Sequence, residues 1–363
     1  EVKNDKVEII LHHLTRHYPY LYNLFRQNLM EVNYLKYNNI LKKIISKRDL
    51  YQFEDVKSNV LIFGIGPLYD KYINLIRFEE YKGTINIAGV CSEDLTEHYK
   101  KLDGYSYVTI NEVNTINFDY IIVTEIYRYD EVIKKLSQYG IERNRIITAR
   151  VFEIPLFDFS RYRKLRNEGI SILSSNCWGG LLYNYLDLPI QSPLINMWSN
   201  PHDFLKICER PEYYFSLPLT IEQWRSMDEV KYPVILLDDV RLHFNHAHNE
   251  DQFREQEEQW YRRVKRFNKK RTFAEVYFWG KGQMLELAPK FKKLPFPTLL
   301  INFDETDIPY VYWLKEYKKY KDTFFAYDGQ AVNDTVKIDS KVLKPFNLLK
   351  LLNGEEDYIR RYS

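Results

Sequence analysis

The chain has 363 residues, and its 52 lysines and arginines nearly cancel its 50 aspartates and glutamates, for a formal net charge of +2. That length exceeds one ordinary hydrophobic core, so two domains are expected, and the balanced charge excludes a dedicated nucleic-acid binder. Cys91, Cys177 and Cys208 contain no C-x-x-C pair, which fits a reducing compartment and excludes a zinc site of the usual kind.

In chain order, Glu1 to Lys6 is charged and lacks an apolar signal core, and no later run is long enough to span a bilayer. A cytoplasmic protein without an integral membrane segment is therefore expected. Apolar residues recur at helical spacing over residues 7–47 (Ile9, Ile10, Leu14, Leu21, Leu24, Phe25) around a break near Pro19. This predicts an N-terminal helical segment, residues 1–57, that either caps its own domain or pairs copies into a homo-oligomer.

From Asn59 the pattern becomes α/β. Val60–Phe63, Ile85–Val90, Tyr107–Ile110, Tyr120–Thr124 and Arg145–Thr148 read as strands, with helices over 68–79 and 128–138. That rhythm predicts a Rossmann-like parallel sheet over 58–150. Gly64 and Gly66 form a glycine turn after the first strand, but Pro67 follows and the third glycine of a dinucleotide fingerprint is missing. Glu93, at the end of the second strand, is the candidate ribose ligand. A nucleotide or sugar-nucleotide site and a domain that binds none both remain open, and the sequence names no cofactor. The strand, G-x-G and helix, followed by Phe118–Val123 and Tyr139-Gly140-Ile141, resemble Rossmann-like modules appended to bacterial surface-polysaccharide enzymes.

Charge and aromatic residues at Phe157–Lys164 break the rhythm, and a second α/β domain is expected over 165–353. It opens with the apolar run Ile170–Leu173, which ends in Ser174-Ser175-Asn176-Cys177-Trp178-Gly179-Gly180 before a short helix. A cysteine at a helix N-terminus has its thiolate favoured by unpaired N–H groups and the helix dipole, so Cys177 is a candidate nucleophile. Burial as a small hydrophobe is the competing reading. Asn176 and the N–H groups around Trp178, Gly179 and Gly180 would hold substrate and stabilise an oxyanion.

A helix over 201–208 follows, started by Pro201 and Asp203. Pro233–His248 then reads as one strand, with Val240, Leu242 and Phe244 on one face and Asp239, Arg241, His243 and Asn245 on the other. His243 and His246 become candidates to take the Cys177 proton, Asp239 to fix the imidazole tautomer, and Arg241 for substrate binding. His243, His246 and His248 with Asp238 or Asp239 offer a metal alternative, and hydrogen-bonded structural histidines a third. Asn249 should cap an amphipathic helix carrying Phe253, Trp260 and Val264. The basic run from Arg262 to Arg271 reads as a solvated helix end or as a clamp for an acidic saccharide. Three further strands are expected at 273–278, 298–303 and 323–327.

Ser174–Gly180, Leu188–Pro193, the strand from Asp238 to His246, Trp260–Arg263 and Leu294-Pro295-Phe296-Pro297 together resemble a bacterial domain family of unknown function associated with exopolysaccharide biosynthesis. The resemblance implies a pathway and a saccharide or sugar-nucleotide partner, and it transfers no catalytic residue. The residues themselves suggest acyl transfer or hydrolysis through Cys177. Two alternatives stand beside it: a sugar-nucleotide glycosyltransferase with a divalent ion on Asp238 and Asp239, and a non-catalytic saccharide binder with tyrosine and tryptophan surfaces.

Overall fold

The structure, a computed structural model, describes residues 57–93, 101–154, 156–227, 230–314 and 347–355. The expected N-terminal helices, with the pairing of copies attributed to them, and the strand at 323–327 lie outside these residues. The chain divides into two compact units, Glu1–Arg163 and Lys164–Ser363.

In the first unit β1 (Ser58–Phe63) leads through a turn to α1 (Tyr69–Lys82), and then come β2 (Ile85–Ser92), β3 (Lys101–Leu102), β4 (Tyr105–Thr109) and β5 (Tyr120–Val123). The unit's sheet is completed by α2 (Tyr129–Gln138) and β6 (Ile146–Thr148). The strands lie in the order β3-β4-β2-β1-β5-β6, with only the short β3 antiparallel to its neighbour. Strands covered on both faces have no solvent side to mark with polar residues, and β5 is accordingly Tyr-Ile-Ile-Val, buried throughout. Leu61, Phe63, Ile121, Val123, Val132, Leu136 and Ile146 build the core of this sheet. α1 stops at Gly83, which takes a left-handed φ of 80°.

The second unit is α/β as expected. After α3 (Phe159–Glu168), which crosses the division, it contains β7 (Ser171–Ser174), α4 (Trp178–Tyr185), α5 (Pro201–Glu209) and α6 (Pro211–Ser216). A three-stranded antiparallel sheet follows, β8 (Thr220–Met227), β9 (Val230–Leu237) and β10 (Val240–His243), and then α7 (Glu250–Val264). Last come β11 (Thr272–Phe278), α8 (Lys281–Phe291), β12 (Thr298–Asn302), β13 (Val311–Trp313) and α9 (Leu348–Leu352). β7, β11, β12 and β13 form a parallel sheet in simple sequential order.

The single strand expected over 233–248 is instead a hairpin. Leu237 pairs with Val240, so Asp238 and Asp239 make the two-residue turn, with Asp238 at φ 54°. Aspartate tolerates that left-handed conformation, which is how an acidic pair can reverse a chain without glycine. The helix caps follow the sequence closely. Asn200 accepts the N–H groups of His202 and Asp203 at 3.0 Å to start α5 behind Pro201, and Asn249 accepts the Gln252 N–H at 2.9 Å to start α7. In the basic run after α7, Lys269 pairs with Glu212 and Arg271 with Glu168.

Candidate functional site

The site in the second unit lies at the C-terminal end of β7, where open parallel sheets place their ligands. β7 is buried along its length, and Tyr183 ties α4 back to it. The Tyr183 hydroxyl donates to the Ile170 carbonyl at 2.7 Å and accepts the Ile172 N–H at 2.9 Å. The turn between strand and helix is an Asx turn, in which Asn176 Oδ1 accepts the Trp178 N–H at 2.8 Å. Trp178 is fully buried and stacks on Phe273, with centroids 5.9 Å apart.

Cys177 caps α4 in helical backbone conformation, φ −75° and ψ −3°. Its thiol is half-buried, whereas Cys91 and Cys208 are fully enclosed. Burial pushes the Cys91 thiol up to about 12, and burial likewise carries Cys208 well above the usual thiol range. Cys177 Sγ stands 3.3 Å from His246 Nε2. His246 is delivered by the loop after β10, which is pinned on either side by the fully buried Phe244 and Ala247, and its imidazole is partly covered and partly open to solvent. The Ala247 N–H donates to the Phe244 carbonyl at 2.9 Å and closes that loop. Desolvation, then the neighbouring His248, lowers the His246 pKa below its ordinary value, so the imidazole is neutral near pH 7 and able to accept a proton.

The other sequence candidates are placed differently. His243 is buried, stacks flat on Trp198 with centroids 3.6 Å apart, and exchanges backbone hydrogen bonds with Trp198 at 2.8 and 3.0 Å. Burial first, then Arg225 and Arg241, hold its pKa down at about 4, so it is a neutral structural imidazole. Asp239 accepts from Lys206 Nζ at 2.7 Å and from the Tyr214 hydroxyl at 2.8 Å, and Asp238 accepts from the Tyr213 hydroxyl at 2.7 Å. These acids secure the hairpin turn. Arg241 makes a two-pronged pair with Glu222, at 2.6 and 2.7 Å. Among the described residues no group of three or more histidine, cysteine or acidic side chains is arranged to hold a metal ion.

Gly179 and Gly180 are explained by close packing. A Cβ at Gly179 would stand 3.2 Å from Ser174 Cβ and 3.3 Å from the Ile172 carbonyl oxygen, and one at Gly180 would stand 3.2 Å from Ile195. Their N–H groups nonetheless lie in the first turn of α4, where backbone donors have no intrahelical acceptor. The Trp178 N–H is already committed to Asn176. Sequence reading missed Glu275, which is fully buried on β11 and accepts the Ser174 hydroxyl at 2.6 Å. Its signal was a lone acid in the otherwise apolar and aromatic run Thr272–Phe278.

In the first unit, Gly64 has φ 100°, and a Cβ there would lie 2.7 Å from Glu125 Cγ. The turn is thus shaped around a carboxylate side chain. Gly66 faces open space. Glu93 pairs with Lys135 at 2.7 Å and Arg128 at 3.5 Å. Arg128 also pairs with Glu125, at 3.2 Å, so both carboxylates are met by cations.

A family model described as "Domain of unknown function (DUF1919)" matches residues 148–352, and one described as "C2185-like, N-terminal" matches residues 56–147. An "Uncharacterized protein" of Haemophilus influenzae is 32% identical over 163 residues, covering 43% of this chain and 73% of that protein.

Proposed function

For this chain, which belongs to the DUF1919 family, we propose an acyl-transfer enzyme in which Cys177 is the nucleophile and His246 the general base. The observation that carries the reading is the 3.3 Å approach of Cys177 Sγ to a neutral imidazole at a helix N-terminus. Nε2 of His246 takes the thiol proton as Sγ attacks the carbonyl carbon of an acyl donor. The tetrahedral oxyanion is met by the N–H groups of Gly179 and Gly180. Collapse leaves a thioester, and the leaving group departs with the proton from His246. An acceptor hydroxyl, or water in hydrolysis, then gives its proton to His246 and takes the acyl group.

A saccharide acceptor in exopolysaccharide or capsule synthesis is supported by the sequence resemblance. A reducing cytoplasmic setting is supported by the thiol chemistry itself, and Cys91, Cys177 and Cys208 form no disulfide. No helix among the described residues is long and apolar enough to cross a membrane. The glycosyltransferase alternative lacks this support, because Asp238 and Asp239 are taken up by Lys206, Tyr213 and Tyr214.

The test is intact-mass analysis after incubation with p-nitrophenyl acetate. One acetyl adduct on Cys177 is expected, lost in Cys177→Ser and slowed by about 100-fold or more in His246→Ala. An unmodified protein, or an adduct that survives in Cys177→Ser, contradicts the reading.

A further inference from the structure

The polar residues beneath the cysteine turn are more elaborate than a two-residue site requires. Glu275 is fully buried and sits opposite Ser174 in the parallel pairing of β11 with β7. Its carbonyl accepts the Ser175 N–H at 3.1 Å, its Oε2 accepts the Ser174 hydroxyl at 2.6 Å, and its Oε1 lies 3.5 Å from Asn176 Nδ2. Ser174 Oγ is also 3.1 Å from Asn176 Oδ1, but a hydroxyl has one proton and the shorter bond is to the carboxylate. With the Ser174 hydroxyl donating to Oε2, the other oxygen, Oε1, faces the amide nitrogen of Asn176. Oδ1 must then face the other way, where it takes the Trp178 N–H. That bond sets the first residue of α4 and, with it, the direction of the Cys177 side chain.

We propose that Glu275 is a positioning residue for Cys177, acting through Ser174 and Asn176 to hold the turn in the one arrangement that brings the thiol to His246. The inference rests on the Cys177–His246 reading. Glu275→Gln keeps the volume but supplies an amide nitrogen: set against Asn176 it places donor against donor, and set against Ser174 it turns the hydroxyl away to Asn176 Oδ1, where it competes with the Trp178 N–H. The Asx turn then loses its lock, and the thiol its alignment. Outer partners that orient reactive groups in this way typically carry about 10–100-fold in activity.

The experiment is a double-substitution cycle on the full chain: the rate of iodoacetamide labelling of Cys177 against pH in the wild type, Glu275→Gln, His246→Ala and the double variant. Mass spectrometry resolves the site, and protection of the buried Cys208 reports that the unit is folded. Glu275→Gln is expected to slow Cys177 about tenfold near neutral pH and to remove the His246-dependent limb of the profile, so that adding His246→Ala changes the rate less than twofold. A wild-type profile in Glu275→Gln, or losses that multiply in the double variant, overturns the inference. If His246→Ala alone leaves the profile unchanged, the dyad reading fails and the positioning role falls with it. Should Glu275→Gln expose Cys208, Asn176→Ala takes its place and is expected to give the same non-additive loss; an independent loss overturns the inference.

Discussion

Two strand–turn–helix junctions, β1 to α1 and β7 to α4, begin alike and end differently. At the first, Gly64 turns the chain with φ 100°, and the space beside it is filled by the Glu125 side chain, whose carboxyl is raised above its ordinary range chiefly by burial. At the second, an Asx turn sets the thiol of Cys177 against His246, and the glycines that follow serve close packing on β7 and Ile195. The difference teaches that glycine after a buried strand is not by itself a ligand signal: Gly64, Gly179 and Gly180 answer crowding, and Gly66 faces open space. Chemistry has to be argued from the side chain that the turn presents and from what stands opposite it.

The comparison is sharpened most by removing the anchor of the cysteine turn. Trp178→Ala deletes a fully buried indole stacked on Phe273 and is expected to cost about 3–5 kcal/mol in urea denaturation. A loss under about 1 kcal/mol would mean that α4 is not held by this residue. Next comes a pH effect from the neighbouring buried imidazole. His243 titrates at about 4 when folded against about 6.5 when free, so the unfolded chain binds the extra proton between those values. Stability should therefore fall as pH drops from about 6.5 toward about 4, by on the order of 3 kcal/mol, and His243→Gln should flatten that limb. An unchanged acid limb in the variant would contradict the assignment. The smallest effect belongs to the glycine turn: Gly64→Ala should cost about 1–3 kcal/mol, from its left-handed φ and the clash with Glu125. Gly66→Ala, facing open space, should stay within about 0.5 kcal/mol. Equal effects at the two positions would erase the distinction between a crowded glycine and an open one.

The strands and helices of the first sheet were legible because two-sided burial writes itself as short apolar runs, and Val60–Phe63 and Tyr120–Val123 are fully buried apart from marginal exposure. The caps at Asn200 and Asn249 were legible because side-chain capping is local. The place of Cys177 at the head of α4 was legible because the apolar strand before it and the glycines after it are local too. Its partner was less so: alternation along the strand pointed to His243, Asp239 and Arg241, while His246 stood as an alternative at the strand end. The hairpin turn at Asp238 and Asp239 carries no glycine, and the imidazole that meets the thiol sits in the following loop. The edge strand β8 was not foreseen, since Thr220–Met227 mixes charge and aromatics without a clear apolar face. Glu275 stood out only as a lone acid in an apolar run, and its place beneath the cysteine turn could not be read because its partners, Ser174 and Asn176, are about a hundred residues away in the chain.

The most direct measurement of the central claim is the iodoacetamide labelling rate of all three cysteines in the folded wild type and in His246→Ala at neutral pH. The account predicts that Cys177 labels while Cys91 and Cys208 stay protected until unfolding, and that His246→Ala slows Cys177 by about tenfold or more. A Cys177 as inert as Cys208, or one indifferent to His246, would contradict it.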